Sequence, residues 1–257
     1  MVDNRTNDFE IFVNDILDNT GKIALKYFRD LKDLSLKRDM SPVTKADKEI
    51  EKYIRTQILN HYPNHNIVGE EYKEVTGTEN ITWYIDPIDG TKEYIAGKDE
   101  YTLNAALVIN TVPVLGLVGV PKKKRLFFSY SPGQSYLIEE NITKKISCKK
   151  QQPKGKIVAL SSVIKPSDII LNKLKQFNVT SIVKMASSYK FCVIATGEFD
   201  IYAARERANE WDYAAGHAIA QNAGAIIKTL DEKPFLYGKE DYRNPSLLIK
   251  RSENLND

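Results

Sequence analysis

The stretch from Trp83 to Thr91, Trp-Tyr-Ile-Asp-Pro-Ile-Asp-Gly-Thr, constrains this 257-residue chain more than any other. Trp83, Tyr84 and Ile85 have the aromatic and β-branched character of a buried strand, and Asp86 falls where that strand should end. Pro87 should stop the strand's pairing, Gly90 permits a tight turn, and Thr91 is expected to cap the helix that follows. Asp86 and Asp89 are thereby held close together on a rigid turn. Two like charges so placed repel, so an empty site should raise one carboxyl pKa, whereas a bound dication would keep both ionised. A hard metal with oxygen ligands is the natural occupant. Taken alone, however, the motif reads first as an Asx-rich turn joining strand to helix, and the rest of the chain must decide.

Composition removes several classes. A hydrophobic fraction of 42% fits a globular protein with one large core or two smaller ones. The formal charge of +3 is the small difference between 37 basic and 34 acidic side chains, which supports no polymeric nucleic acid or other polyanion as partner. The densest basic run, Lys122 to Arg125, reads as a solvated turn between two strands. Cys148 and Cys192 are the only cysteines, and Cys192 lies in an apolar helical stretch where a small buried hydrophobe fits, as expected of a reducing compartment. No apolar run approaches the ~20 residues that span a bilayer, and the N-terminus is polar and acidic, so the expected location is the cytoplasm.

Apolar residues at three- and four-residue spacing predict an amphipathic helix from about Asp8 to Arg29, weakened at Gly21. Lys37, Arg38, Asp39 and Ser41 fall in a polar stretch from Asp33 to Pro42 that should form an exposed, mobile loop able to close over a site. Thr44 to Asp47 fits a capping box ahead of a second helix carrying Ile50, Tyr53, Ile54 and Ile58. Ile67 and Val68 form a short strand ending in Gly69-Glu70-Glu71. The 16 residues from Glu70 to Asp86 suffice for a loop and a returning strand that set the two strand ends side by side. Leu103 to Ile109 and Val112 to Val120, turning at Asn110-Thr111, then Leu126 to Tyr130 and Tyr136 to Ile138, predict an antiparallel series. The lysine-rich segment from Lys144 to Lys156 reads as a surface connection dividing an N-terminal subdomain, 1–145, from a C-terminal one, 146–257. Beyond it, strands (Ile157 to Leu160, Ser181 to Lys184, Ile201 to Ala203) alternate with helices (Ser167 to Phe177, one opening near Ser187, Trp211 to Ala223 with Gly224 as C-cap). With strands at Ala225 to Lys228 and Leu247 to Ile249, this predicts a second α/β layer.

Acidic residues thus stand at element ends: Glu70, the pair Asp86/Asp89, and Asp212 in Glu-Trp-Asp-Tyr-Ala-Ala-Gly (210–216). Singly, Glu70 reads as a surface charge and Asp212 as a helix N-terminal acid favoured by the dipole. Together with Ser-Pro-Val-Thr-Lys-Ala-Asp (41–47) they occur in an order that resembles the lithium-sensitive, magnesium-dependent phosphomonoesterase superfamily of inositol monophosphatases, fructose-1,6-bisphosphatases and bisphosphate nucleotidases, over nearly the whole chain. Within it, Asp-Pro-x-Asp-Gly-Thr-Lys-Glu-Tyr (86–94) is most similar to the 3′(2′),5′-bisphosphate nucleotidases of the CysQ type; inositol monophosphatases usually carry Asn-Phe where this chain has Glu93-Tyr94. Ala-Ser-Ser-Tyr-Lys-Phe (186–191) is similar to the segment through which nucleotidases bind their second, non-reacting phosphate. There Ser187 can cap a helix whose free N–H groups face an anion, with Lys190 on the same side, although an ordinary N-cap and a snorkelling lysine would account for the same residues. The chain departs from the pattern at Ala204, where such nucleotidases usually have Arg, with Arg205 and Arg207 beyond, and at Ser162-Val163, where a basic or aromatic residue often follows the serine.

The resemblance implies an α/β fold, a layered αβαβα sandwich, and a hydrolase. The expected reaction removes the 3′-phosphate of adenosine 3′,5′-bisphosphate to give AMP and phosphate, within sulfur metabolism or nucleotide housekeeping. Inositol monophosphatase activity is the alternative, and a non-catalytic binder of nucleotide or metal a third reading, opposed by the intact set Glu70, Asp86, Asp89, Thr91 and Asp212. By matching positions, Glu70, Asp86 and the carbonyl of Ile88 would hold one Mg²⁺ and Asp86, Asp89 and Asp212 a second, with Glu70 helping to recruit a third. Asp47 would orient the Thr91 hydroxyl, which orients or deprotonates the attacking water. Gly90 and Thr91 would hold the scissile phosphate, and Ser187, Lys190 and Asp212 would contact the rest of the substrate. The barrier to be removed is on the order of 20 kcal/mol, beyond the reach of a lone carboxylate. No feature of the sequence supports a membrane role; only the resemblance adds a peripheral position at the inner face of the membrane, since some relatives associate there.

Overall fold

The computed structural model describes residues 4–29, 35–36, 42–148 and 156–255. Lys37, Arg38, Asp39 and Ser41 of the expected loop, and residues 149–155 of the lysine-rich connection, lie outside them. The first helix, α1 (Asn4–Tyr27), turns Phe12, Val13, Ile16, Leu17 and Ala24 inward, as their spacing requires. The polar stretch is closed at its base by a short antiparallel ladder of β1 (Ser35–Leu36) with β2 (Pro42–Val43). Helix α2 (Lys45–His61) opens in the expected capping box, where the backbone N–H and the hydroxyl of Thr44 both donate to Asp47 Oδ2, at 2.7 and 2.6 Å.

Strands β3 (Asn66–Gly69) and β4 (Ile81–Asp89) run parallel with Gly69 opposite Ile85, so their ends do lie side by side. Two expectations for the opening motif change. Gly90, at φ 92°, caps α3 (Thr91–Ile95), because the turn needs a left-handed residue; Thr91 is the first helical residue, and its hydroxyl donates to the Ile88 carbonyl at 3.1 Å. Nor does β4 stop at Asp86: against β5 (Thr102–Ile109), Asp86 pairs with Asn104 and Asp89 with Thr102, and a bulge absorbs Pro87 and Ile88, where a missing N–H is tolerated.

Strands β6 (Val112–Val120), β7 (Arg125–Ser131), β8 (Gln134–Glu139) and β9 (Ile142–Lys145) complete a seven-stranded sheet in the order β3-β4-β5-β6-β7-β8-β9. The exposed strand β9 replaces the start of the expected connection; lysines on an open edge are a common guard against further pairing. Of the basic run, Arg125 is no solvated charge: it pairs with Glu198 at 2.6 Å and Glu139 at 3.2 Å. After it come β10 (Val158–Ser161), α4 (Asp168–Lys175), β11 (Ser181–Lys184), α5 (Tyr189–Ala195), β12 (Ile201–Ala204), α6 (Glu210–Asn222), β13 (Ile226–Lys228) and β14 (Leu247–Lys250). These strands form a mixed sheet ordered β11-β10-β12-β14-β13.

Buried side chains stack the layers. Ile16, Ile50, Ile54 and Trp83 join α1 and α2 to one face of the seven-stranded sheet. Val118, Phe127, Phe191, Ile219, Tyr202 and Ile249 fill the space between the two sheets around α5 and α6, and Ile170, Leu174, Ile201 and Leu248 seat α4 on the far side. Adjacent Leu117 and Val118 of β6 are both fully buried, in different clusters, as in a sheet covered on both faces. The architecture is the αβαβα sandwich. Burying a side chain the size of Phe127 or Phe191 contributes roughly 1.5–3 kcal/mol. The strands change sheet between β9 and β10, while the central cluster draws on both halves of the chain. The division at residue 145 stays a proposal.

Candidate active site

A cleft of about 420 Å³ opens where the ends of β3 and β4 meet the starts of α5 and α6; Glu70, Asp89, Gly90, Thr91, Ser187, Lys190 and Asp212 line it. Asp86, Asp89 and Asp212 each bring an oxygen within 4.8 Å of the others. Asp86 is 1% exposed, and neither of its oxygens has a donor among the described residues. Its polar neighbours are themselves carboxylates, of Glu70, Asp89 and Asp212, and Asp212 can bond to it only by sharing a proton. Burial, then the charges of Glu70, Asp89 and Asp212, hold the Asp86 carboxyl well above the usual range. Burial and then Asp212 push Asp89 up to about 7, against the opposing pull of Lys190 and the Ser188 N–H. Asp212 is pushed up to about 6, foremost by burial, although it accepts the Asn209 N–H at 2.6 Å. An all-oxygen donor set with two orphaned buried oxygens is what a hard dication satisfies.

The supports of this cluster were not legible in the sequence. Gly69 lies so close to α2 that a Cβ there would meet Glu51 Oε1 at 2.2 Å. Glu51, fully buried, accepts the Glu71 and Tyr72 N–H groups at 2.7 and 3.2 Å and pairs with Arg55 at 2.7 Å, clamping the turn that carries Glu70. The available signal was a charged series, Asp47, Glu51 and Arg55, at four-residue spacing beside the apolar stripe of α2. Likewise Glu210, fully buried at the start of α6, accepts the Gly238 and Lys239 N–H groups at 3.0 and 3.1 Å and ion-pairs with Lys239, anchoring the helix that presents Asp212.

The remaining expected residues fall as follows. Glu70 N–H bonds the Ile85 carbonyl at 3.2 Å, directly before Asp86. Ile88 is buried, with the Thr91 hydroxyl on its carbonyl, while Asp47 lies beneath the start of α2 and is not part of the cleft wall. Ser188, and not Ser187, is the N-cap of α5; Ser187 adopts φ 54° and stands outside the helix. The N–H groups expected to await an anion are partly engaged: that of Ala186 by Glu100, of Ser188 by Asp89 and of Tyr189 by the Ser187 hydroxyl. Lys190 is no snorkelling lysine. It is 4% exposed, its ammonium donates to the Ser187 carbonyl, and it lies over the Tyr202 ring at 5.2 Å, inside the cleft. Tyr94 turns away, burying its ring and donating to the Ala24 carbonyl at 2.7 Å, whereas Glu93 lines the cleft. Ala204 is buried in β12, and Arg207 enters the wall beside Asp212, with Ser162 and Tyr202, whose hydroxyls bond at 2.7 Å.

The sequence matches the profile described as the Inositol monophosphatase family over residues 7–256. The chain belongs to the inositol monophosphatase family. The 3′(2′),5′-bisphosphate nucleotidase CysQ of Escherichia coli strain K12 is 32% identical over 237 residues, which cover 90% of this chain and 95% of that protein. Among solved structures, CysQ from Bacteroides thetaiotaomicron superposes with a TM-score of 0.77 at 29% identity, covering 93% of this chain and 96% of that one. A protein from Pyrococcus horikoshii with similarities to inositol-1 monophosphatase superposes with a TM-score of 0.80 at 21% identity, covering 97% and 96%; this likeness concerns the fold. The chain is a metal-dependent phosphomonoesterase of the inositol monophosphatase family; enzymes of this family depend on Mg²⁺, and the Asp86, Asp89, Asp212 cluster could bind such an ion. No helix among the described residues is long and apolar enough to cross a membrane.

Proposed function

We propose that the chain hydrolyses the 3′-phosphate of adenosine 3′,5′-bisphosphate, giving AMP and phosphate. The observation that carries this reading is the buried ammonium of Lys190, which lines the cleft with Ser187 beside Asp89 of the acidic cluster: a cationic pole suited to an anionic group that does not react. The likeness to CysQ nucleotidases over nine-tenths of the chain supports it.

Glu70, Asp86, the Ile88 carbonyl, Asp89 and Asp212 would hold magnesium, which when bound supplies Lewis acidity at phosphate oxygens and a water of lowered pKa. The chain's own residues do the rest. The Thr91 hydroxyl would orient the attacking water, with Asp47 assigned to orient that hydroxyl and Glu70 to assist from the cleft wall. The N–H groups of Gly90 and Thr91 hold the scissile phosphate, Asp212 reaches the substrate side, and Ser187 and Lys190 hold the 5′-phosphate. The water's oxygen forms the new bond to phosphorus as the water gives up a proton, the bond to the 3′-oxygen breaks, and that oxygen takes up the released proton and leaves as a hydroxyl.

A substrate panel with Mg²⁺ tests this reading. Phosphate release should be faster from adenosine 3′,5′-bisphosphate than from inositol 1-phosphate. Lys190→Ala should raise KM for the nucleotide, on the order of tenfold for a lost charged contact, and leave hydrolysis of the monophosphate largely intact. Preference for inositol 1-phosphate would instead favour the inositol monophosphatase reading.

A further inference from the structure

Ser188 joins the acidic cluster to the segment that carries Lys190. Its backbone N–H donates to Asp89 Oδ2, on the acidic side, while two residues later its own helix carries Lys190. Its hydroxyl is held from behind, donating to Asn104 Oδ1 at 2.7 Å and lying 3.0 Å from the Thr102 hydroxyl, which completes its hydrogen bonding. Ser188, Asn104 and Thr102 are each exposed by 1% or less. The two β5 residues are not arbitrary neighbours: Asn104 is the cross-strand partner of Asp86, and Thr102 that of Asp89. A third tie joins the segment to the same sheet, since the Ala186 N–H donates to Glu100 at 3.2 Å.

A carboxylate that binds a cation through one oxygen is aimed by whatever donor holds the other. In Asp89 that donor is the Ser188 amide, so the direction of Oδ1 follows the position of the Ser188 backbone. The same segment is tied at other points, since the Ser188 carbonyl accepts the Phe191 N–H at 2.9 Å and the Ser187 carbonyl accepts the Lys190 ammonium. What the buried hydroxyl adds is the link to β5, the strand that pairs with Asp86 and Asp89.

We propose that Ser188 is a positioning residue which, pinned through its hydroxyl by Asn104 and Thr102, orients the Asp89 carboxylate and so sets the magnesium affinity of the cleft. Because Ser187 and Lys190 ride on the same segment, the cation-binding and anion-binding poles are placed by one anchor. The proposal rests on the acidic cluster holding magnesium and is independent of which phosphate ester is the substrate.

The test reads magnesium binding to purified metal-free protein by titration calorimetry and by the magnesium dependence of the melting temperature, neither of which needs turnover. Ser188→Ala is expected to raise the Kd for Mg²⁺ roughly tenfold, the lower end of what loss of a ligand's support produces. Asn104→Ala, which frees the same hydroxyl from the other side, should do likewise and carries the test if Ser188→Ala fails to fold. Ser135→Ala is the control: it removes a buried hydroxyl that bonds the Ile219 carbonyl at 2.9 Å on β8, outside the cleft, and should leave the Kd unchanged. Wild-type affinity in both Ser188→Ala and Asn104→Ala overturns the proposal, as does an equal loss in Ser135→Ala. A wild-type protein that binds no magnesium overturns the metal assignment and the proposal together.

Discussion

Three aspartates, Asp86, Asp89 and Asp212, bring oxygens within 4.8 Å of one another at the cleft. Asp89 is the informative one to alter. Asp89→Asn keeps shape and the acceptor for the Ser188 N–H, removes one of the mutually repelling charges, and should leave the fold intact by circular dichroism. Phosphate release should fall on the order of a hundredfold or more, since removing a ligand costs at least as much as removing its support. Retained turnover would sink the assignment of Asp89 to the metal. Glu70, Asp86, Asp89 and Asp212 stood out in the sequence only as a set, in an order that resembles a known family, because singly a carboxylate at an element end has ordinary uses as a surface charge, a turn residue or a helix N-terminal acid. Glu51 and Glu210 were not, because a buried glutamate that satisfies backbone N–H groups looks in sequence like any surface acid.

At the scale of elements, periodicity placed nearly every helix and strand, and the differences are local. Thr91 and Ser187 have the side chains of caps, yet Gly90 and Ser188 hold those positions, because a cap is decided by backbone angles that the neighbouring sheet imposes. Strand β9 was missed because Ile-Thr-Lys-Lys has no alternating apolar face. The close seating of α6 was also invisible. A Cβ on Gly116 of β6 would lie 2.2 Å from the Ala215 carbonyl, and one on Gly216 2.7 Å from Phe191. Gly116→Ala should therefore push α6 off the sheet at a cost of about 1–3 kcal/mol, lowering the melting temperature by roughly 2–4 °C per kcal/mol. An unchanged thermal scan would mean that the helix yields freely.

For the whole molecule, the acidic cluster links stability, pH and metal. In the metal-free fold Asp89 and Asp212 keep their protons up to about 7 and 6, against an ordinary 3.8, so the folded state binds more protons than the unfolded chain between those values. The stability this contributes is full below about pH 4 and is lost as the pH rises through 6 and 7. Magnesium competes with those protons, so its stabilisation should grow with pH: the gain in melting temperature on adding Mg²⁺ should be larger at pH 8 than at pH 5. His217 acts in the opposite direction, since burial lowers it to about 4 and its contribution is lost as pH falls from 6.5, but it affects both samples alike and cancels in the difference. A gain independent of pH would separate the cluster from the metal.

Local patterning was enough to establish the order of helices and strands and the acidic residues at their ends, because amphipathic period, turn residues and caps act over a few neighbours. Spacing and patterning did not bring Asp212 and Lys190, each about a hundred residues beyond Asp89, to its cleft; the family resemblance implied it and the tertiary structure shows it, while tertiary structure alone decided that Ser188 reaches across to β5. It also decided that two sheets enclose α5 and α6 rather than lying apart. Strand pairing and layer stacking are contacts between distant residues, each satisfied by many apolar partners, so the sequence near any one of them does not name the other.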